Sequence, residues 1–476
     1  MRLAVRALLV GMALSAALLV AQINFHYSFY QTSGQGLGAV SADFNRDGYP
    51  DVVVGTNGAV ELFLSTGNGT NFGAPQSYTI SGNNPNDMVA VDINGDGWPD
   101  LVVMSSDNST TVSVFLNNGD GTLRAGTPIT LAAPAGSYIG AGDLNNDGKA
   151  DLVISELVNG GQSDQFAIYL GNGDGSFTAG QVLPLAALAS RPVVYDLNRD
   201  GKLDIAAVVH PDANIFWGNG DGTFSGPMVI PASDQDGDND LTVADFNNDS
   251  SPDLAIETSH FCGSACGTNT VYIYLGNGAG AFAQKSSYVV QGVSAGGYLT
   301  AADLNDDQNI DLVVENPAHF GGAVVYAMGN GDGSFGTQGV FNGATETSGF
   351  VARDVNLDSR PDVVIPTWMG NGFIFGLNTS ASVNCPPPDA SKLQAKICTP
   401  GAQPIQNPVV VVRGAGNSPL GIRRLEIWMD GNKVAEELNS QIKKVISVTP
   451  GRHDLTLVAV DQYLGYSSTT IRIVVP

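Results

Sequence analysis

Three features of the sequence predict an all-β fold, a seven-bladed β-propeller followed by a small β-sandwich. The first is a nine-residue loop, DFNRDGYPD at 43–51, that returns six more times, starting at Asp92, Asp143, Asp196, Asp245, Asp303 and Asp354. The second is the spacing: a repeat of about 50 residues carrying four short strands is the signature of a propeller blade. The third is composition, since 59 glycines and only 14% charged residues suit short strands and tight turns better than helices.

The third repeat shows the pattern. An apolar strand at 138–142 leads into the loop at 143–151, and further strands are expected at 152–155, 166–170 and 177–184. Between the last two, Gly171-Asn172-Gly173-Asp174-Gly175 supplies the positive φ that a tight hairpin needs. Repeats 1 to 6 each have a fourth strand after such a turn, as in FGAPQSYTI at 72–80, whereas repeat 7 runs into TSASVNCPPP without one. An orphan strand, FHYSFYQT at 25–32, precedes the first loop and is expected to complete the last blade and close the ring.

Every loop keeps Asp at positions 1, 5 and 9 and Asn at position 3. Oxygens at alternating positions of a tight loop converge on one point, which suits a hard cation needing six to eight oxygen ligands; calcium is the expected ion, up to seven per chain. Adding the backbone carbonyl of position 7, the candidate ligands are Asp43, Asn45, Asp47, Tyr49 and Asp51 in loop 1, and Asp92, Asn94, Asp96, Trp98 and Asp100 in loop 2. Loops 3 and 4 offer Asp143, Asn145, Asp147, Lys149 and Asp151, then Asp196, Asn198, Asp200, Lys202 and Asp204. Loop 5 offers Asp245, Asn247, Asp249, Ser251 and Asp253; loop 6, Asp303, Asn305, Asp307, Asn309 and Asp311; loop 7, Asp354, Asn356, Asp358, Arg360 and Asp362. At position 6, Ser250, Gln308 and Ser359 replace the glycine of loops 1 to 4. A left-handed conformation costs such residues about 1–2 kcal/mol, so weaker binding is expected in blades 5 to 7.

The loops, each followed by an apolar strand and usually by G-N-G-D-G-[ST]-F, resemble the FG-GAP/VCBS repeats of integrin-α-like β-propellers over residues 23–378. The resemblance implies the propeller; it says little about function, because similar propellers serve adhesion receptors, lectins and lyases.

Residues 1–21 read as a signal peptide, Arg2 and Arg6 preceding an apolar run from Ala7 to Ala21, so a secreted, extracellular or periplasmic location is expected, with no other membrane span. The propeller is expected over 22–381, a Pro-rich linker over 382–392, and a sandwich resembling bacterial immunoglobulin-like modules over 393–476, with Trp428 in its core. In an exported chain Cys262 with Cys266, and Cys385 with Cys398, are candidate disulfides. The formal net charge of -25 disfavours nucleic acid, and seven divalent cations would cancel more than half of it.

Length variation locates a second face. The stretch from the ninth loop residue to the glycine turn runs from Asp204 to Gly218 in repeat 4 but from Asp253 to Gly276 in repeat 5. These connections emerge opposite the metal loops, where a rigid scaffold presents binding residues. His210, His260 and His319 fall in them, with Glu156, Glu257 and Glu315 nearby; they read mainly as solvated loop residues, the alternative being a His/Glu cluster for acid–base chemistry or a second metal. The acidic run from Asp234 to Asp240 borders the same face and reads as a solvated loop or an added calcium site. No G-x-S-x-G, H-E-x-x-H or phosphate-cradling glycine loop appears, so no enzyme is expected. The expectation is a monomeric calcium-binding module for adhesion to an extracellular protein or glycan. The alternatives are a lectin, or a polysaccharide lyase with a catalytic His or Lys above the channel.

Overall fold

The computed structural model describes residues 23–66, 69–107, 109–231, 240–260, 268–290, 297–315, 324–341, 349–356, 360–367, 370–379, 394–399, 409–417, 422–437, 441–449, 451–461 and 466–475. The signal segment, the Pro-rich linker, Cys262, Cys266, Cys385, Asp358, Ser359 and His319 lie outside them, as do the side chains of His260 and Cys398. Among the described residues all regular structure is β-strand.

Seven antiparallel sheets account for the chain from Phe25 to Asn378. Their innermost strands are Ala39–Ala42, Pro85–Val91, Ala135–Gly142, Val193–Tyr195, Leu241–Ala244, Leu299–Ala302 and Val351–Arg353. Each lies beside the next, and the seventh returns to the first. The ring is closed. Seven apolar clusters fill the gaps between neighbouring blades; one joins Val102 and Met104 of blade 2 to Ile139, Leu152 and Ile154 of blade 3, and another joins Phe373 and Phe375 of blade 7 to Val52, Val54 and Phe63 of blade 1. The second strand of each blade is therefore covered on both faces. This is why DVVVGT at Asp51–Thr56 and DLVVMS at Asp100–Ser105 read as unbroken apolar runs rather than alternating ones, and every residue of both is buried.

Closure uses the N-terminal strand. Phe25–Gln31 pairs antiparallel with Gly372–Asn378, from Phe25 opposite Asn378 to Gln31 opposite Gly372. Its alternate aromatics bind it on both sides: Tyr30 stacks on Phe373 at 5.1 Å between ring centres, and Phe25 meets Phe341 of blade 6 edge-on at 4.8 Å. One blade departs from the expected four strands. In blade 2 the fourth is broken into Leu123–Ala125 and Ile129–Thr130, because Pro128 between them has no N–H to continue the ladder.

The C-terminal unit is a sandwich of two sheets, one ordering Gln394–Thr399, Val409–Asn417 and Gln441–Ser447, the other Asn432–Glu437, Ile422–Met429, Gly451–Asp461 and Tyr466–Val475. Leu425, Ile427, Leu455 and Leu457 form its core. Trp428 does not belong to it, contrary to the sequence expectation. Strand alternation puts Ile427 and Met429 inside and turns Trp428 to the outer face, half-buried, where its indole N–H donates to Glu426 at 3.0 Å.

Removing residues 23–31 leaves Gly372–Asn378 as an apolar open edge. Limited proteolysis should then cut blade 7 first, and a deletion variant as protease-resistant as the full chain would show that the ring closes without this strand.

Candidate functional site

The loops that follow the inner strands gather at one end of the ring. Within loop 1, Asp43 accepts the N–H of Asp47 at 3.2 Å and of Gly48 at 2.9 Å, Asn45 Oδ1 accepts the N–H of Asp47 at 2.9 Å, and Asp47 accepts that of Tyr49 at 2.9 Å. Loops 3 to 5 repeat the position-1 pair through Asp143, Asp196 and Asp245, as loop 6 does through Asp303. Winding the loop this tightly needs left-handed residues at position 6. Gly48 has φ 92°, while Ser250 and Gln308 are held at 69° and 72° despite carrying a Cβ.

Position 9 does something the loop pattern did not reveal. Asp51, Asp100, Asp151, Asp204, Asp253, Asp311 and Asp362 are all fully buried. One oxygen of each accepts the N–H of loop position 2, from Phe44 to Val355, at 2.8–3.1 Å. The other accepts the N–H at the end of the third strand, from Ser65 to Asn378, at 2.7–2.8 Å. Burial raises the carboxyls of Asp51, Asp100, Asp151, Asp204, Asp253 and Asp311, Asp51 to about 7 and Asp311 to about 8, with the neighbouring position-1 and position-5 aspartates pushing the same way.

The oxygen-only donors at positions 1, 3 and 5 fit a hard divalent cation by chemistry. Among the described residues, no three acidic, histidine or cysteine side chains converge as a metal site. In loops 3 and 4 a lysine ammonium lies beside the position-5 carboxylate, Lys149 at 3.4 Å from Asp147 and Lys202 at 4.0 Å from Asp200.

The other end of the ring does not repeat. Glu156, Glu257 and Glu315 are fully buried there, which corrects their reading as solvated loop residues. Glu156 accepts from Tyr169 Oη at 3.0 Å and Gln165 at 2.8 Å, Glu257 from Asn269, and Glu315 from the N–H of Gly349 in the next blade at 3.0 Å. Their oxygens serve the fold. His210, by contrast, is exposed, so no His/Glu pair is assembled among the described residues.

Asp240 also leaves its expected place. It is buried, accepts the N–H of Leu299 in blade 6 at 2.9 Å, and stands 3.8 Å from Arg191 of blade 4. Residues 234–239 of that acidic run lie outside the described residues. The Arg191 guanidinium lies over Tyr298 of blade 6, 5.4 Å from the ring centre, and Tyr298 meets Tyr138 of blade 3 edge-on at 6.5 Å. The Tyr298 hydroxyl then donates across the ring to the Asn86 carbonyl of blade 2 at 3.3 Å. Asp87, next in sequence, accepts the N–H of Ile139 at 2.9 Å. Burial raises Asp87 to about 6 against the opposing pull of Arg191. Each of these residues sits where its inner strand begins, so five blades meet at the channel mouth.

Against known families, a model described as an FG-GAP-like repeat matches residues 43–103, 92–154, 155–207 and 196–256. The chain carries FG-GAP-like repeats. No match is found among curated protein sequences. Three solved structures show partial likeness. An Agrocybe aegerita lectin that recognises non-reducing terminal N-acetylglucosamine is 18% identical over 67% of this chain and 90% of its own, with a TM-score of 0.44. Fibronectin(III)-like modules of Clostridium thermocellum CbhA cover 17% of this chain and 94% of their own at 18% identity and TM-score 0.16. A Photorhabdus luminescens Tc holotoxin pore covers 87% of this chain at 14% identity and TM-score 0.38, with only 21% of its own length aligned.

Two outcomes test this geometry. Asp204→Ala orphans two buried N–H groups and should cost about 2–6 kcal/mol by urea denaturation, even in excess chelator, with Asp204→Asn milder. The second concerns pH. A folded pKa of about 6 at Asp87 means that its contribution to stability is full below the unfolded value near 3.9 and is lost as pH rises through 6. Asp87→Asn should therefore flatten the stability-versus-pH curve between pH 4 and 7 by roughly 2 kcal/mol relative to the parent chain.

Proposed function

We propose that the chain is an exported binding module whose propeller holds calcium in up to seven loops on one end and recognises its ligand on the other. The observation that carries this reading is the contrast between the two ends. One repeats the same loop seven times, while the other brings together Asn86, Asp87, Tyr138, Arg191, Asp240 and Tyr298 from five different repeats that share no motif there. Repetition serves a scaffold; a one-off cluster of charged and aromatic groups serves recognition.

At the scaffold end, the side chains of positions 1, 3 and 5 and the carbonyl of position 7 would hold calcium, which supplies positive charge among the loop carboxylates. The buried position-9 aspartate orients the loop from behind. Export rests on Arg2, Arg6 and the apolar run after them. The sandwich's strand order, first, second and fifth in one sheet and fourth, third, sixth and seventh in the other, supports an immunoglobulin-like assignment.

A lectin is the second reading, favoured by the mix of Arg, Asp, Asn and Tyr at the mouth, which suits hydroxyl groups and sugar-ring faces. The deciding experiment is a glycan and extracellular-matrix array probed with and without calcium. His210→Ala, on the exposed mouth, should weaken the captured ligand while leaving calcium-dependent melting unchanged. Equal weakening by Asn172→Ala, in an outer turn at the metal end, would put the ligand elsewhere. Calcium at 100 times its dissociation constant adds about 2.7 kcal/mol per site, so chelation should lower the melting temperature markedly. A melting curve indifferent to chelator would remove calcium from this proposal.

A further inference from the structure

The sandwich carries a cleft of its own. The outer face of the sheet built on Ile422–Met429, Gly451–Asp461 and Tyr466–Val475 carries a cavity of about 540 Å³, within the range of small-ligand pockets. The sheet register sets its lining. Arg424 stands opposite Val460 and Val460 opposite Tyr466; one step along, Glu426 faces Val458 and Val458 faces Ser468; one step further, Trp428 faces Thr456. An apolar strip, Val458 and Val460, thus runs between an indole at one corner and a phenol at the other.

An outer sheet face is ordinarily polar. Here Tyr466 is 76% exposed and Trp428 half-buried. The polar groups around them are fixed in place. Glu426, only 7% exposed, accepts from Arg424 Nε at 2.6 Å, Trp428 Nε1 at 3.0 Å and Lys433 Nζ at 3.3 Å. Lys433 also pairs with Glu436. The indole plane and the guanidinium are thereby held before any ligand arrives, which cuts the ordering cost of binding. Two cations and two carboxylates balance within the network, on a chain whose formal net charge is -25.

We infer that this cleft binds a neutral saccharide. A sugar ring presents C–H groups on its faces and hydroxyls around its rim, matching aromatic and valine surfaces bordered by a guanidinium, a carboxylate and hydroxyls. A purely apolar ligand would leave the charged rim desolvated without partners. A strongly charged one would meet a network that is already neutral.

The test uses the full chain, titrated with cellobiose, maltose, lactose and chitobiose by calorimetry and by saturation-transfer NMR. At least one should bind with a dissociation constant of roughly 0.1–10 mM. Trp428→Ala should weaken it by about tenfold or more, and Tyr466→Ala by a few-fold, with Tyr466→Phe retaining most of the affinity. Should Trp428→Ala fail to fold, the largely exposed Tyr466 pair carries the test alone. No binding by any of the four sugars, or affinity unchanged in Tyr466→Ala, overturns the inference, as does glucuronate binding far more tightly than the neutral sugars. Sugar binding that survives both sandwich variants but falls in His210→Ala would place it on the propeller instead, sparing the reading above while overturning this one.

Discussion

Everything in the propeller hangs on a carboxylate that water never reaches. The aspartate at loop position 9 ties three pieces of each blade with two oxygens: the loop, through the N–H of position 2; its own strand, which it begins; and the third strand, through an N–H at that strand's end. Placing an ionised carboxyl there is costly, and two charge-assisted bonds offset only part of the cost, so the group's pKa rises. What the chain gains is a fixed angle between loop and hairpin, made seven times over. Position 2, drawn inward by the same bond, buries an apolar side chain, from Phe44 to Val355. Its carbonyl then takes a donor from the turn of the following blade, as Ile93 does from Gly175 and Leu144 from Gly222, both at 3.1 Å. One side chain per repeat thus orders a blade and passes its position to the next.

Much of this was legible because it repeats. Loop spacing gave the blades, the missing fourth strand of repeat 7 pointed to Phe25–Gln31, and the glycine turns marked hairpins whose positive φ values appear at Gly173, Gly220 and Gly331. The role of position 9 was not legible, since Asp at the end of an oxygen-rich loop reads equally as a ligand and as a buried staple. A signal was present: each of these aspartates opens an apolar run, as in DVVV, DLVV and DIAA, so it begins a strand destined for the interior. Trp428 went the other way. Its neighbours Ile427 and Met429 made an apolar stretch, and only the alternation of the strand separates the residue facing the core from the one facing out.

The mouth of the channel was invisible for the opposite reason. Asn86, Tyr138, Arg191, Asp240 and Tyr298 share no motif, and each stands in a different repeat. What they share is a place, the start of an inner strand, and a ring brings such places together regardless of sequence distance. Asp240 looked like the tail of a solvated acidic run because sequence proximity to Asp234–Asp238 outweighed its position just before Leu241. Its burial follows from that position alone.

Rotational repetition also explains why this end had to diverge. Seven equal residues facing one axis would stack seven equal charges or leave a hole. The chain instead sets one arginine among the carboxylates of Asp87 and Asp240, which oppose the cost of burying its charge. Tyr298 reaches from blade 6 to blade 2 and closes the opening, while at Gly38 and Gly349 a side chain would collide with or crowd the Asn86 carbonyl and the Tyr298 ring respectively. With the mouth braced from within, a ligand approaching this end meets a surface rather than a pore. The groups it can touch are the partly exposed Tyr138, Arg191 and Tyr298 of this brace together with those at the rim, in the connections between second and third strands, and these connections are the segments whose length the repeat leaves free to change. Bracing the axis is what frees the rim to specialise.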